Sequence, residues 1–149
     1  MDNSVFSIFQ NKVFLATLIA WVSAQTIKIA INSIKEKRFN FRWLASTGGM
    51  PSAHSAGVMS LATAVGIQEG FYSTVFIATL IFALVIAFDA QGVRRATGQQ
   101  AEILNKIMED IYWRRKIQED RLKELIGHTP FEVLVGSVIG IVIATLVMI

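Results

Sequence analysis

The sequence predicts an all-α integral membrane bundle of about four transmembrane helices with a cytoplasmic amphipathic helical insertion. Three observations predict it. Of the 149 residues 53% are hydrophobic and the mean hydropathy is +0.51, more than a soluble domain of this size needs. Four apolar segments, 13–34, 52–68, 71–89 and 130–149, approach the ~20 residues with which a helix crosses a hydrocarbon core. Twelve of the 14 Lys and Arg residues fall in two polar connections, 35–42 and 94–123. The chain, 1–149, reads as a single membrane domain.

The first span carries Gln25 and Lys28 three residues apart on one face. An intramembrane lysine is by default a functional group lining the bundle interior, with snorkelling to the nearby polar end as the alternative. Val22-Ser23-Ala24 has the look of a signal-peptide cleavage site, but the preceding segment is long, contains Asp2, and the apolar pattern runs on to Ile34. The first span is therefore expected to stay.

The second segment is interrupted by Ser, Thr, Ala and Gly, the residues that let helices approach closely in lipid, so it is read as a buried central span. Gly66 to Gly70 leaves almost no linker, and the second and third spans form a hairpin. In the insertion, about 94–126, apolar residues recur at Leu104, Ile107, Ile111, Leu122 and Leu125 with charges between them. That spacing predicts one bent or two short amphipathic helices on the membrane face. The fourth span opens with Pro130, which suits a first helical turn. His128, Glu132, Gly136, Gly140 and Ala144 follow one another every four residues and share a face.

The concentration of basic residues places both polar connections in the cytoplasm and both termini outside, in a bacterial-type inner or plasma membrane. Nucleic acid is not an expected partner. The basic aromatic patch Trp113-Arg114-Arg115-Lys116 is interleaved with Glu109, Asp110, Glu119 and Asp120, which fits a solvated helix face or anionic lipid headgroups better. The absence of cysteine removes disulfides, thiolate metal sites and a Cys nucleophile, and two histidines without a cluster argue against a structural zinc site. No metal is expected.

Both histidines stand at the mouths of apolar helices. His128 lies beside the start of the fourth span, where unpaired N–H groups and the helix dipole favour an anion. Glu132, one turn on, is placed to accept from the imidazole Nδ1–H and present Nε2 to phosphorus. A lone H-x-x-x-E reads more readily as a helix-capping pair at the membrane interface. Gly48-Gly49-Met50-Pro51-Ser52 is a tight loop feeding a second helix mouth, with Gly49 and Ser52 as anion contacts and His54 as a proton donor to a leaving group. Asp89, Arg94 and Arg95 cluster where the third span reaches the same face, the arginines as phosphate clamps and Asp89 as support or a snorkelling group.

These residues resemble the type 2 phosphatidic acid phosphatase superfamily, and more narrowly its small divergent branch related to vanadium haloperoxidases. The superfamily pattern runs K-x6-R-P, then P-S-G-H, then S-R-x5-H-x3-D. Pro51-Ser52-Ala53-His54 matches the second motif with Ala for Gly, and His128 with Glu132 matches the end of the third with Glu for Asp. Lys35 and Arg42 have the separation of the first motif but Trp43 replaces its proline, and Lys28 is the alternative. Leu122 occupies the place of the third motif's arginine, so Arg94 or Arg95, or less well Arg121, would substitute.

The resemblance covers about 28–140. It implies phosphomonoester hydrolysis without a metal or cofactor: His128 attacks phosphorus, His54 protonates the leaving group, and water cleaves the phosphohistidine. A lipid or polyprenyl phosphate is the implied substrate, membrane lipids are the surroundings, and vanadate is a phosphate mimic. A catalytically silent descendant that binds anionic lipid or a partner is the second reading, and a vanadate-dependent haloperoxidase the third. The Gly136/Gly140 groove is expected to pack within the chain or against a second copy in a homodimer.

Overall fold

The computed structural model describes residues 7–40, 48–91, 93–112 and 128–149. After a short 3-10 turn at Ile8–Gln10 come five helices: α1 (Lys12–Glu36), α2 (Ala53–Glu69), α3 (Thr74–Gln91), α4 (Val93–Tyr112) and α5 (Pro130–Met148). The chain is a membrane helical bundle. α1, α3 and α5 are each long and apolar enough to cross a bilayer.

α2 is the exception among the four expected spans. Its 17 residues fall short of the ~20 needed, and its Ser, Thr and Gly lower its hydropathy. It is instead the centre of the bundle, packed by α1, α3 and α5 together. Among the described residues three helices thus qualify as spans, and the small residues of the fourth expected span are explained by burial. The insertion begins as the single helix α4, and 113–127 lies outside the described residues.

Local chemistry sets the helix ends. The Asn11 side chain accepts from the Val13 and Phe14 N–H groups to open α1, and Lys37 closes it in the left-handed region. Ser52 caps α2 by accepting from the Ser55 N–H. Thr129 and Glu132 form a capping box around Pro130 at the start of α5.

The core is built from small residues at four-residue spacing. On α1, Ala16, Ala20 and Ala24 are fully buried and Lys28 continues the same stripe. On α2, Ser52, Ala56 and Ser60 are fully buried against α5, where Gly136 and Gly140 leave the space. A Cβ on Gly136 would collide with the Ser52 carbonyl oxygen, and one on Gly140 with that of Ala56. The groove foreseen on the fourth span is therefore filled by α2 of the same chain.

At the far end Val13 and Ala16, Ala64 and Val65, and Ala144 form one apolar cluster with Phe76 and Val147 against it. α2 and α5 thus run parallel, both starting at the end where α1 and α3 finish. Two helix N-termini converge there.

Candidate functional site

The convergence is tied by backbone hydrogen bonds. The Ser52 N–H donates to the Glu132 carbonyl at 3.1 Å, joining the mouths of α2 and α5. The His128 N–H donates to the Ala90 carbonyl at 3.1 Å, which fixes the approach to α5 against the end of α3. These two bonds bring together histidines that are 74 positions apart in sequence. The His54 and His128 rings stand 6.5 Å apart between centroids, edge to face at 61°.

His128 is 2% exposed, and its Nδ1–H donates to Glu132 Oε2 at 3.1 Å. A carboxylate only accepts, so this bond puts the proton on Nδ1 and leaves the chemistry of the ring to Nε2. The same Oε2 accepts from the Thr129 N–H at 3.0 Å, and the Glu132 N–H donates to Thr129 Oγ1 at 3.3 Å. Glu132 is held from both sides, and so therefore is the imidazole. His54 is exposed in the first turn of α2.

Lys28 is 2% exposed on the inward stripe of α1 and does not reach for solvent. Its Cγ and Cδ lie 3.8 Å from where a Gly49 Cβ would be, so its stem runs beneath the Gly48-Gly49 loop. Gly49 has φ +82, a left-handed value that favours glycine. The carboxylate charge of Glu132 acts on the Lys28 ammonium. Gln25, also buried, lies one turn away.

The other expected site residues are distributed around this centre. Ser52 is fully buried, and its hydroxyl accepts from both the Ser55 N–H at 3.3 Å and the Ser55 hydroxyl at 3.0 Å. It shapes the mouth of α2 from within. Lys35 is exposed in the last turn of α1, two turns beyond Lys28. Asp89 is exposed next to Ala90, whose carbonyl anchors His128. Arg94 and Arg95 belong to the first turn of α4, four and five residues past Ala90, but their side chains are outside the described residues, as are Arg42, Arg121 and Leu122. Among the described residues no group of three His, Asp or Glu side chains is arranged to hold a metal.

Thr129 was not singled out from the sequence, although Thr129-Pro130-Phe131-Glu132 is the T-x-x-E signature of a capping box. The Ala90 carbonyl left no sequence signal, since any residue supplies one.

The sequence profile of a family described as the "Divergent PAP2 family" matches residues 9–143. The chain belongs to this family. The match takes in α1 to α4 whole and most of α5, and so every residue of the site. Within the curated proteins the chain is similar to the "Uncharacterized membrane protein YuiD" of Bacillus subtilis (strain 168), at 40% identity covering 93% of this chain and 94% of that one. No solved structure matches. Membership of the Divergent PAP2 family agrees with the resemblance carried by Pro51-Ser52-Ala53-His54 and His128-x3-Glu132, and it leaves the reaction to be argued from the site.

Proposed function

We propose that this membrane protein hydrolyses the phosphomonoester of a membrane lipid or polyprenyl phosphate through a phosphohistidine on His128. The observation that carries the reading is the pair of histidines 6.5 Å apart at two convergent helix mouths, one of them oriented through Nδ1 by a carboxylate. Unlike a lone capping histidine, this arrangement supplies a nucleophile, an orienting group and a second proton-transfer group in one place.

In the first step His128 Nε2 forms a bond to phosphorus as the bond from phosphorus to the ester oxygen breaks. His54 gives its proton to the departing alkoxide. In the second, His54 takes a proton from water, the resulting hydroxide attacks phosphorus, and the P–N bond breaks to release inorganic phosphate and restore His128. Lys28 and the N-terminal N–H groups of α2 and α5 offset the negative charge on the non-bridging oxygens, with Arg94 and Arg95 as further candidates. The three spanning helices and the basic end of the bundle support a lipid substrate taken from the cytoplasmic leaflet.

A second reading is an anionic-lipid binder without turnover, favoured by Glu132 in place of the superfamily motif's Asp and by Leu122 in place of its Arg. Phosphate release from a panel of lipid phosphates in detergent, without added metal, decides between them. Release by the wild-type protein, lost in both His128→Ala and His54→Ala, is the expected result. No release from any substrate by folded protein would leave the binder.

A further inference from the structure

Among the described residues the bundle is open on one side: α1 and α3 both pack on α2, yet their Cα atoms nowhere come within 8 Å of each other. Gly57 on α2 lies against Trp21 of α1, with Trp21 Cβ and Cδ1 both 3.8 Å from the Gly57 Cβ position, and Gly66 lies against Phe76 of α3. The α5 side of α2 is filled by Ser52, Ala56 and Ser60. At ~100° per residue the positions that remain are 54, 58, 61 and 65, one stripe at helical spacing. His54 is exposed, Val58 and Leu61 are half-buried, and Val65 is buried. The stripe forms the floor of a cleft whose walls are α1 and α3.

The cleft has a polar end and an apolar end. It begins at His54, whose ring stands against that of His128 at the end where the two helix N-termini meet, and continues over Val58 to Leu61, which packs on the apolar cluster of the far end. It closes where Phe76 packs on the cluster containing Val65 and Val13. The eleven residue-to-residue steps from His54 to Val65 rise about 16 Å, close to half of the ~30 Å hydrocarbon core. Cation and N–H donors above one leaflet's depth of apolar surface complement an amphiphile with an anionic head.

We infer that the cleft between α1 and α3, floored by Val58 and Leu61, is the seat of a long hydrocarbon chain whose phosphate is delivered to His54 and His128. The identity of the head group rests on the hydrolytic reading above; the position of the chain rests on the packing. Access is sideways, from the membrane, so the chain need not leave the bilayer for its phosphate to reach the histidines.

Two measurements test this. First, a phosphatidate with a terminal diazirine on one acyl chain, photolysed with the wild-type protein in phosphatidylcholine vesicles, is expected to label α2 within 54–65 and α1 around Trp21. Labelling spread over the outward faces of α3 and α5 overturns the cleft. Second, Val58→Trp and Leu61→Trp are expected to lower kcat/KM for a long-chain phosphatidate tenfold or more relative to a short soluble phosphomonoester, whereas Val138→Trp on the outer face of α5 leaves that ratio unchanged. An unaltered ratio in the cleft variants also overturns it. Labelling in the cleft without phosphate release from any substrate would sustain the chain site and remove hydrolysis; release with labelling elsewhere would do the reverse.

Discussion

At the residue scale the site turns on Glu132. One oxygen of this side chain accepts from the imidazole of His128 and from the Thr129 N–H, while its own backbone carbonyl accepts from Ser52. The carboxylate therefore both orients the proposed nucleophile and caps α5, and a glutamate four residues on from His128 has the length to do both. Glu132→Gln keeps an acceptor of the same shape but removes the charge that stabilises a developing imidazolium. Its kcat for phosphate release is expected to fall about 10²-fold with KM little changed, the pattern of an interaction made mainly in the transition state. Thr129→Ala removes only the cap, and is expected to cost about 1 kcal/mol of stability, read as a lower thermal midpoint in detergent, with kcat largely retained. Lys28→Met should instead weaken vanadate inhibition by about tenfold or more, since it removes a buried cation from the anion site. The His128–Glu132 pair was legible in sequence because four residues is one helical turn, and Lys28 was legible because a lysine inside an apolar span is costly. The 6.5 Å approach of His54 was not, since it depends on two backbone bonds, from the Ser52 N–H to Glu132 and from the His128 N–H to Ala90, that no side-chain pattern records.

At the scale of elements the decisive contact is α2 on α5. Gly136 and Gly140 admit the carbonyls of Ser52 and Ala56 into the surface of α5, and this brings the two helix mouths close enough for Ser52 to bond Glu132. Gly136→Leu would force the helices apart at the very turn that carries the site. It is expected to abolish both phosphate release and the cooperative thermal transition. Val138→Leu, about half a turn along and facing outward, is expected to alter neither. The same packing explains what the sequence did and did not disclose about the spans. The segment bounds followed from hydropathy to within a few residues, because apolar length is a local property. Whether 52–68 crosses the membrane as an independent span was not local: its small residues mark it as buried, and burial by three neighbours relieves it of the length and hydropathy that a lipid-facing helix needs. α4 has the charged and apolar alternation expected of an interfacial helix, with Ile103, Leu104 and Ile107 exposed and Lys106 paired to Glu102 at 2.7 Å. That hydrogen bond, with the ammonium charge beside it, holds the Glu102 carboxyl below its usual range. Any contribution it makes to α4 is present above the ordinary carboxylate range and is lost as the pH falls through the lowered value.

For the whole molecule the open question with most consequence is which leaflet meets the site, and the packing makes it answerable with two labels. α1 and α3 end, and α2 and α5 begin, at a single end of the bundle, so the site and the two basic connections must lie on the same side. The turn at Gly70–Ser73 must lie on the other. Twelve of the 14 basic residues fall within those two connections, and the charge bias of short connections predicts that this end faces the cytoplasm. The chain has no cysteine, so a single introduced thiol reports without background. Tyr72→Cys stands in the far turn on a nearly fully exposed residue, and Lys37→Cys stands just past the end of α1 at the site end. In intact cells a membrane-impermeant maleimide is expected to label Tyr72→Cys and to reach Lys37→Cys only after permeabilisation. The opposite pattern would put the histidines outside and move the substrate to the outer leaflet. It would leave the chemistry of His128, Glu132 and His54 as argued, because their geometry comes from α2 against α5 and is indifferent to which way the bundle faces.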